Sequence, residues 1–386
     1  MVAPLISTLA GLALFTVDIG VFLSSILAGK KIDANKQTMV TLMLGDAPNS
    51  GGSSPYIEVK GPYGVTLTDD SDTSKYHNEH LEGSREHVWI MDNRPALFGH
   101  PIQVDQPQYL KVAAGNDGIC ISVIIAQGNS ASYTWTGDMG QHCGAQWYES
   151  NFKFGNSNIP PKCVWLDGDH TNGIVASAIT LHMPDFNGAL LNQYNETSPH
   201  YDPPEIGFRR LCTNTARMTF HQTFTSGDWP FFENHTLKYN ELGELVYADQ
   251  GVDRSQGAYP DKVTLPWLKD KKQKREHGRH FKRNYISNPY PERLTISHIA
   301  SHSARMLCES DASRGADFVA INDEEKLFCD MSEKRIIDVC DDEHTTACFD
   351  LEKKEMRDVG AKVRKRDSSY HDLVPMKRYE THDVWK

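Results

Sequence analysis

The chain has 386 residues, a formal net charge of -11 at pH 7, and 39% hydrophobic and 24% charged residues. This length predicts about two folded units, and the apolar content is enough for a sizeable core. The composition excludes wholesale disorder. The acidic charge argues against a nucleic-acid partner, because a nucleic-acid binder needs a basic face.

The N-terminus is apolar. Residues 1–28 carry one charge, Asp18. We interpret this run as a secretory signal peptide, although no basic residue precedes it. A membrane anchor is the alternative, with the protein facing the lumen or exterior, because the run is long enough to span. Lys30 and Lys31 would then tend to hold the C-terminal side in the cytoplasm, which conflicts with export.

The cysteines predict an oxidising compartment. They fall into two groups of four along the sequence: Cys120, Cys143, Cys163 and Cys212, and then Cys308, Cys329, Cys340 and Cys348. No CxxC pair occurs, so neither a zinc ribbon nor a thioredoxin-type site is indicated. Even-numbered groups at wide spacing favour disulfides, and each group allows three pairings. Sequons at Asn195 and Asn234 add to the prediction of a secreted glycoprotein.

Residues 35–250 read as strands separated by turns. Candidate strands with apolar or alternating character occur at intervals along this part of the chain: 38–44, 56–60, 87–91, 109–112, 119–126 and 217–224. Ile119 to Ala126 is nearly all apolar and is expected at the centre of a sheet. Turn residues recur about every ten positions, the spacing of a sandwich. We therefore predict a mainly β protein with a jelly-roll-like β-sandwich over 35–250.

The C-terminal third changes in character. Residues 251–293 are interpreted as a basic linker, and residues 269–283 contain eight Lys and Arg. Residues 294–358 are predicted to be a small helical, disulfide-stapled appendage, with a helix capped by Thr295 or Ser297. Residues 359–386 are predicted to be a disordered tail. Basic pairs that a secretory protease would cut if they were exposed occur in both linker and tail: Lys274-Arg275, Lys282-Arg283 and Lys377-Arg378.

The candidate site lies between Cys143 and Phe186, where polar residues follow two probable strands. An extracellular glycan or other surface ligand needs hydrogen-bonding side chains and an aromatic face. Seven residues are the candidates for ligand binding: Trp165, Asp167, Asp169, His170, Asn172, His182 and Asp185. The competing interpretation is turn chemistry, because Asp and Asn bond their own backbone in tight turns. Tryptophans in this region are more often core than a sugar platform.

The alternative function is a hydrolase that acts on an extracellular polymer. Asp167, Asp169, His170 and His182 are ligand types that would hold a divalent metal. Asp169 and Asp185, with His170 beside them, would instead act as acid and base if their carboxyls lay about 5–9 Å apart. The sequence leaves both mechanisms open.

Two blocks of sequence resemble a known family. One runs from Cys143 to Phe186, and the other joins Ser297-His298, Leu307-Cys308, Phe328-Cys329-Asp330 and Cys348-Phe349-Asp350. Together they are similar to a group of predicted secreted proteins of filamentous fungi that has no assigned activity. The resemblance implies secretion and a two-part layout, and it implies no catalytic residues.

Overall fold

The computed structural model describes these residues of the chain: 33, 36–61, 66–67, 79–93, 107–128, 131–153, 159–186, 212, 217–223, 238–239, 245–246, 288–357, 377 and 379–386. The apolar N-terminus, both sequons and the basic block at 269–283 lie outside them. In the described part, no helix has the length and apolarity needed to cross a bilayer.

The protein is mainly β. Among the described residues, the N-terminal part forms a six-stranded, a four-stranded and a two-stranded sheet. Their strands are β1 (Gln37–Leu44), β2 (Gly52–Ser53), β3 (Tyr56–Lys60), β4 (His80–Leu81), β5 (Glu86–Asp92), β6 (Tyr109–Ala113), β7 (Ile119–Gly128), β8 (Ala131–Thr136), β9 (Trp147–Tyr148), β10 (Cys163–Leu166), β11 (Ala178–His182) and β12 (Met218–His221). A helix α1 (Gly137–His142) follows β8, and a 3-10 turn (Met183–Phe186) follows β11. A separate short pair is formed by β13 (Lys238–Tyr239) and β14 (Leu245–Val246).

Strand β7 is the centre of a six-stranded antiparallel sheet. The path is β5-β1-β7-β10-β9, and β8 also pairs with β7. One edge of β7 pairs with β1. The other edge pairs with β10 at its start and with β8 further along. This confirms the prediction that the apolar run at Ile119 is central, since a strand covered on both faces needs apolar residues on both.

A second antiparallel sheet has the order β12-β11-β6-β3. Alternate residues point into the core, for example Leu110 and Val112 of β6 and Ile179 and Leu181 of β11. These side chains and those of β1 and β7 belong to one hydrophobic cluster. The alternation seen in the sequence therefore places one face of this sheet against the core.

The C-terminal part is a sheet, which corrects the prediction of a helical appendage. Its strands and helix are β15 (Arg293–Ser297), α2 (Ala304–Glu309), β16 (Asp317–Ile321), β17 (Lys326–Asp330), β18 (Arg335–Asp338), β19 (Phe349–Asp350), β20 (Glu355–Met356) and β21 (Thr381–Trp385). The order β18-β17-β16-β15-β21 gives a five-stranded sheet in which β15 is parallel to both neighbours. Thr295 lies inside a strand, where its β-branched side chain is favoured.

The helix that the structure describes in this part begins later than predicted. Ser303, not Thr295 or Ser297, is the N-cap, and its hydroxyl oxygen accepts a hydrogen bond from the Met306 amide at 3.0 Å. The tail prediction also needs correction, because residues 381–385 of the supposedly disordered segment form β21. The periodicity that suggested a longer helix came from a short strand followed by a turn and a six-residue helix.

Two hairpins of this part use the same turn. Asp330 ends β17 and Asp350 ends β19, and each carboxylate accepts backbone amides two and three residues further on. In each turn the fourth residue after the aspartate is a lysine with positive φ, Lys334 or Lys354. The Asp side chain replaces a backbone acceptor and so stabilises the tight reversal. The two turns differ in their ion pairs: Asp330 contacts Lys377 and Arg335, whereas Asp350 contacts Arg357.

All eight cysteines are paired in disulfides: Cys120–Cys163, Cys143–Cys212, Cys308–Cys329 and Cys340–Cys348. Each bond stays within its own group of four, as the grouping in sequence predicts. Four disulfides indicate an oxidising compartment.

The two parts share one core. The indole Nε1 atoms of Trp147 and Trp165 donate to Ser310 Oγ and to the Arg314 carbonyl oxygen, at 3.1 and 2.9 Å. The Tyr148 hydroxyl donates to the carbonyl oxygen of Ala316 at 2.9 Å. Gly315 lies directly against the Tyr148 ring, so that a Cβ there would collide with it. The C-terminal sheet is therefore packed onto β9 and β10 rather than appended.

Candidate functional site

An open, polar groove of about 790 Å³ lies where the N-terminal loops meet the C-terminal sheet. Its lining comes from both parts of the chain: residues 46–51, His80, residues 82–84, Asp117, Asn151 and Asn172 from the first, and Tyr290, Arg293 and residues 383–385 from the second. We call this feature the groove. Concave sites between packed units are where ligands preferentially bind.

The loop after β1 forms one side of the groove. The Ser50 hydroxyl donates to the Gly45 carbonyl oxygen at 2.5 Å, and the Ser50 amide donates to that of Ala47 at 2.9 Å. Asn49 has a φ of 57°, a left-handed conformation that asparagine tolerates better than most residues. These local bonds hold a compact turn that presents the Asn49 side chain to the C-terminal part.

Arg293 links the two sides. Its Nη1 donates to Asn49 Oδ1 at 3.0 Å, and its Nη2 lies 3.8 Å from Asp383 Oδ2. Its Nε is buried and has no hydrogen-bond partner among the described residues. Next to it, burial raises the pKa of the Tyr290 hydroxyl, although a hydrogen bond with Asn49 works against this. Arg293 and Tyr290 thus place hydrogen-bond donors on the lining of the groove.

The loop at 167–173 reaches the groove with one predicted residue, Asn172. The Thr171 amide donates to Asp169 Oδ1 at 3.0 Å, and the Asp169 amide donates to Asp167 Oδ1 at 3.4 Å. His170 has a φ of 61°, and its Nδ1 lies 2.7 Å from the carbonyl oxygen of Ile174. These contacts are those of turn chemistry, the competing interpretation of this stretch.

The two aspartates of this loop have opposite pKa shifts. Burial, and then the neighbouring Asp169, raise the pKa of Asp167, which has no exposed surface. Desolvation acts to raise the pKa of Asp169, but hydrogen bonds from Thr171 and Asp167 and the charge of His170 together outweigh it, so the pKa is lowered. Asp169 is therefore ionised and exposed at neutral pH, while Asp167 sits beneath the turn.

Trp165 is a core residue. Its ring is buried in β10, and its Nε1 is bonded to the C-terminal part. It presents no face to a sugar, which agrees with the expectation that most tryptophans here fill the core. Trp135 and Trp147 are buried as well.

His182 and Asp185 lie at the other end of β11. His182 Nδ1 is 2.8 Å from Asp185 Oδ2, and Arg217 Nε is 3.7 Å from the same oxygen. The Asp167 amide bonds to Ala176 near the start of β11, so the strand itself separates the two sets. The four steps from Ala178 to His182, at about 3.3 Å each, separate the two ends of β11 by roughly 13 Å. The structure therefore does not bring Asp169 and Asp185 together, nor His182 to the other three metal candidates.

Metal binding has no assembled ligand set in the part of the chain that the structure describes. No group of three or more His, Cys, Asp or Glu residues lies close enough there to hold an ion. Asp167, Asp169 and His170 are neighbours, and one polar atom of each side chain forms a hydrogen bond within the turn: Oδ1 of both aspartates and Nδ1 of His170.

A second polar cluster is buried at the seam between the two parts. Lys162 Nζ lies 3.8 Å from both Glu149 Oε2 and Asp138 Oδ1, and 5.6 Å from the centroid of Trp147. Burial raises the pKa of Glu149 and of Asp138, in each case against the charge of Lys162. Burial acts to lower the pKa of Lys162, but the two carboxylates outweigh it and the pKa is raised.

His302 extends this cluster. Its Nδ1 is 2.8 Å from Ser297 Oγ, and its Nε2 is 4.0 Å from Glu149 Oε2. Burial, and then the charge of Lys162, lower its pKa to about 3. His302 thus lies between the hydroxyl of Ser297 and the carboxylate of Glu149, but all three side chains are almost completely buried. A substrate has no access to them, so we assign the cluster a structural role.

Sequence reasoning missed most of the groove. Its side chains come from segments that are far apart along the chain, such as Asp46, Asp117, Arg293 and Asp383. None belongs to a spaced motif, so no local signal marks them. The predicted glycosylation sites Asn195 and Asn234 lie outside the described residues.

Comparison with known proteins shows no family. No protein-family model matches the sequence, and no curated protein matches it. Crystal structures titled Delta413-417:GS LOX, alone and in complex with arachidonate, are each 10% identical to the matched part, with a TM-score of 0.20. Each match covers 33% of this chain and 22% of the other. The chain therefore spans less than a quarter of those structures, and a likeness of this size carries no argument about fold or function.

Proposed function

We propose that this chain is a secreted, extracellular binding protein that holds a hydroxyl-rich ligand, such as a glycan, in the groove. The observation that carries the proposal is the lining: Asn49, Asn172 and Arg293 supply hydrogen-bonding groups, and Tyr290 supplies an aromatic ring. Sugars are bound by this combination of polar groups and an aromatic face.

The charge of the groove narrows the ligand class. Four carboxylates line it, from Asp46, Glu82, Asp117 and Asp383, against the single arginine Arg293. Like charges across an interface are unfavourable. We therefore expect neutral or amine-bearing oligosaccharides to bind, and uronic-acid or sulfated polymers to be repelled.

The same proposal includes export and architecture. The four disulfides support export, and with it a cleaved apolar N-terminus and glycans at Asn195 and Asn234. The shared core of the two antiparallel sheets supports a jelly-roll-like sandwich. The resemblance of the sequence to predicted secreted proteins of filamentous fungi also supports export. The intact mass and N-terminal sequence of protein recovered from culture medium would test export directly.

Binding is tested on an array of neutral, amine-bearing and acidic oligosaccharides. We expect a neutral or amine-bearing member to bind, and Asn172→Ala to weaken it by about 2- to 10-fold, since a net hydrogen bond contributes about 0.5–1.5 kcal/mol. Tyr290→Ala should weaken it further, because the aromatic face is lost as well.

Asp169→Asn is the matched control, because the amide oxygen still accepts the Thr171 amide that fixes the turn. Asp169 lies in the same turn as Asn172 but does not line the groove. It should leave affinity unchanged. Binding of acidic polymers alone, or equal effects of Asp169→Asn and Asn172→Ala, would count against the proposal.

A further inference from the structure

Asp317, the first residue of β16, has a carboxylate with no exposed surface and four hydrogen-bond donors around it. Its Oδ1 accepts the Asn288 side-chain amide and the Met331 backbone amide, each at 2.8 Å. Its Oδ2 accepts the Lys377 ammonium and the Tyr379 hydroxyl, also at 2.8 Å each. The two oxygens are therefore in different surroundings, one bound by neutral amides and the other by an amine nitrogen and a hydroxyl.

Lys377 contacts a second buried carboxylate. Its Nζ lies 2.5 Å from Asp330 Oδ1 and donates to Ser332 Oγ at 3.1 Å. Asp330 is 2% exposed, and the Lys377 side chain is 16% exposed. Arg335 Nη2 lies 3.5 Å from the other oxygen of Asp330. Asp330 therefore keeps a cation of its own if the charge of Lys377 is lost.

These contacts supply the parts of an amide-forming site. A nucleophile reacts when it is held about 3–3.5 Å from the atom that it attacks. Lys377 Nζ, at 2.8 Å from Asp317 Oδ2, lies within about 4 Å of the carboxyl carbon, because a carbon–oxygen double bond is about 1.2 Å long. The two amides on Oδ1 are placed to stabilise the negative charge that forms on that oxygen during attack.

The surroundings of the acid and of the phenol favour the same reaction. Burial raises the pKa of Asp317, against the charge of Lys377, and a protonated carboxyl is a better electrophile than a carboxylate. Burial, and then the charge of Asp317, raise the pKa of the Tyr379 hydroxyl, so it stays protonated and donates to Oδ2. The Asp330 carboxylate touches Nζ and is placed to accept a proton from it.

We propose that Lys377 and Asp317 form an isopeptide bond, an amide cross-link between their side chains. The ammonium passes one proton to Asp317 Oδ2, and the neutral Nζ then attacks the carboxyl carbon while Asp330 takes a second proton from the nitrogen. The bond between the carbon and Oδ2 breaks, and Asp330 returns its proton to the leaving oxygen. One ammonium and one carboxylate thus become one amide and one water.

The cross-link replaces a buried ion pair by a neutral amide, which removes the cost of keeping two charges away from water. It ties β16 to Lys377, which precedes β21 in the sequence. Residues 383–385 of β21 line the groove, so the bond would also fasten the strand that forms part of that lining. Formation of the bond does not depend on the function proposed above.

Tandem mass spectrometry of a tryptic digest of the reduced and alkylated protein tests the bond. We expect one branched peptide that contains both Asp317 and Lys377, with the mass of the two linear peptides less one water. Trypsin should not cut after Lys377, because the acylated side chain has lost its charge. Lys162 is the internal control: it is also buried, but its nearest carboxylates are 3.8 Å away, so its peptide should be linear.

Asp330→Asn tests the role of the second carboxylate. The asparagine oxygen can still accept the turn amides of Ser332 and Glu333, but it cannot take the proton. In freshly produced protein, the branched peptide should therefore accumulate at least about tenfold more slowly. Asp350→Asn is the matched control, because Asp350 has the same place in its own hairpin but contacts Arg357. It should leave the rate unchanged.

Two further variants examine the other groups. Tyr379→Phe removes the hydroxyl on Oδ2 but keeps the ring, so it should slow the bond several-fold and gives a second test if Asp330→Asn does not fold. Lys377→Met removes the nucleophile and should leave the Asp317 peptide linear.

Three results would overturn the proposal. They are a linear peptide that ends at Lys377 in digests of folded, disulfide-bonded protein, a loss of water located elsewhere, such as a succinimide at Asp167-Gly168, and equal rates for Asp330→Asn and Asp350→Asn. None of these measurements uses a ligand, so each is independent of whether the groove binds oligosaccharide.

Discussion

Lys162 shows how single residues hold the seam between the two parts of the chain. It is the cation nearest to two carboxylates that have little or no exposed surface, those of Glu149 and Asp138. Both oxygens of Glu149 are buried, and neither has a hydrogen-bond partner of normal geometry among the residues that the structure describes. The ion pair is therefore the main compensation for a charge placed in a medium of low polarity.

Replacing this cation tests its role. We expect Lys162→Met to lower the free energy of unfolding by about 3–5 kcal/mol at neutral pH, because it leaves buried charge unpaired. The pKa values of Glu149 and Asp138 are raised, so these groups take up protons in the folded state before they do so in the unfolded state. The loss should therefore shrink as the pH falls through these raised values.

Urea unfolding at neutral and mildly acidic pH measures both effects. Lys153→Met at an exposed neighbouring position is the control and should change stability by less than about 0.5 kcal/mol. Adding Glu149→Gln to Lys162→Met should recover part of the loss. A pH-independent loss would contradict the charge explanation.

At the scale of elements, the disulfides differ in the length of chain that they close. Cys120–Cys163 joins β7 to the neighbouring β10 across a separation of 43 residues, and Cys340–Cys348 closes one of only 8. Constraint of the unfolded chain grows with loop length. The two bonds should therefore contribute unequally, although the sequence shows only that both exist.

Removing each disulfide separately should give two different losses of unfolding free energy. Replacing Cys120 and Cys163 by alanine should cost about 4 kcal/mol of unfolding free energy, and replacing Cys340 and Cys348 about 2.5 kcal/mol, in the chain-entropy account. Denaturant unfolding of the two variants provides the comparison. Equal losses, or a larger loss for the shorter loop, would show that native contacts rather than chain entropy set the difference.

At the scale of the whole molecule, the shared core has a consequence for unfolding. Trp147, Tyr148 and Trp165 of the first part are bonded to residues 310–316 of the second, and one cluster contains side chains of both. Elements that share a core lose it together.

We therefore expect one unfolding transition for both parts. Hydrogen exchange of β7 and β16 amides should give coincident denaturant midpoints, and Gly315→Val should lower both midpoints together because its side chain would collide with Tyr148. Midpoints that separate in the wild type would mean that the C-terminal sheet unfolds by itself.

Complete reduction should act on the same transition. Loss of native disulfides costs small secreted domains about 2–5 kcal/mol each, so the melting temperature should fall clearly when a reductant is present. A calorimetric scan with and without reductant measures this. An unchanged melting temperature would contradict a structural role for the four bonds.

The sequence by itself determined the features that depend on neighbours along the chain. Alternating or apolar runs predicted β1, β3, β5 and β6, and a nearly continuous apolar run predicted β7, because burial of one face of a strand has a period of two residues and burial of both faces has none. Cysteine grouping predicted that the bonds stay within each half, and Asp and Gly at 167–173 predicted a turn. These outcomes need little information from remote residues.

Only the tertiary structure decided the strand pairings and the groove, which depend on contacts between residues far apart in the sequence. Residues 293–297 carry both helix-like and strand-like periodicity, and pairing with β16 and with the far C-terminus made them a strand. The groove likewise joins Asn49, Asn172, Arg293 and Asp383, which only the docking of two sheets brings together. Long-range pairing overrides local preference because a buried strand gains hydrogen bonds and packing from partners that a sequence window does not contain.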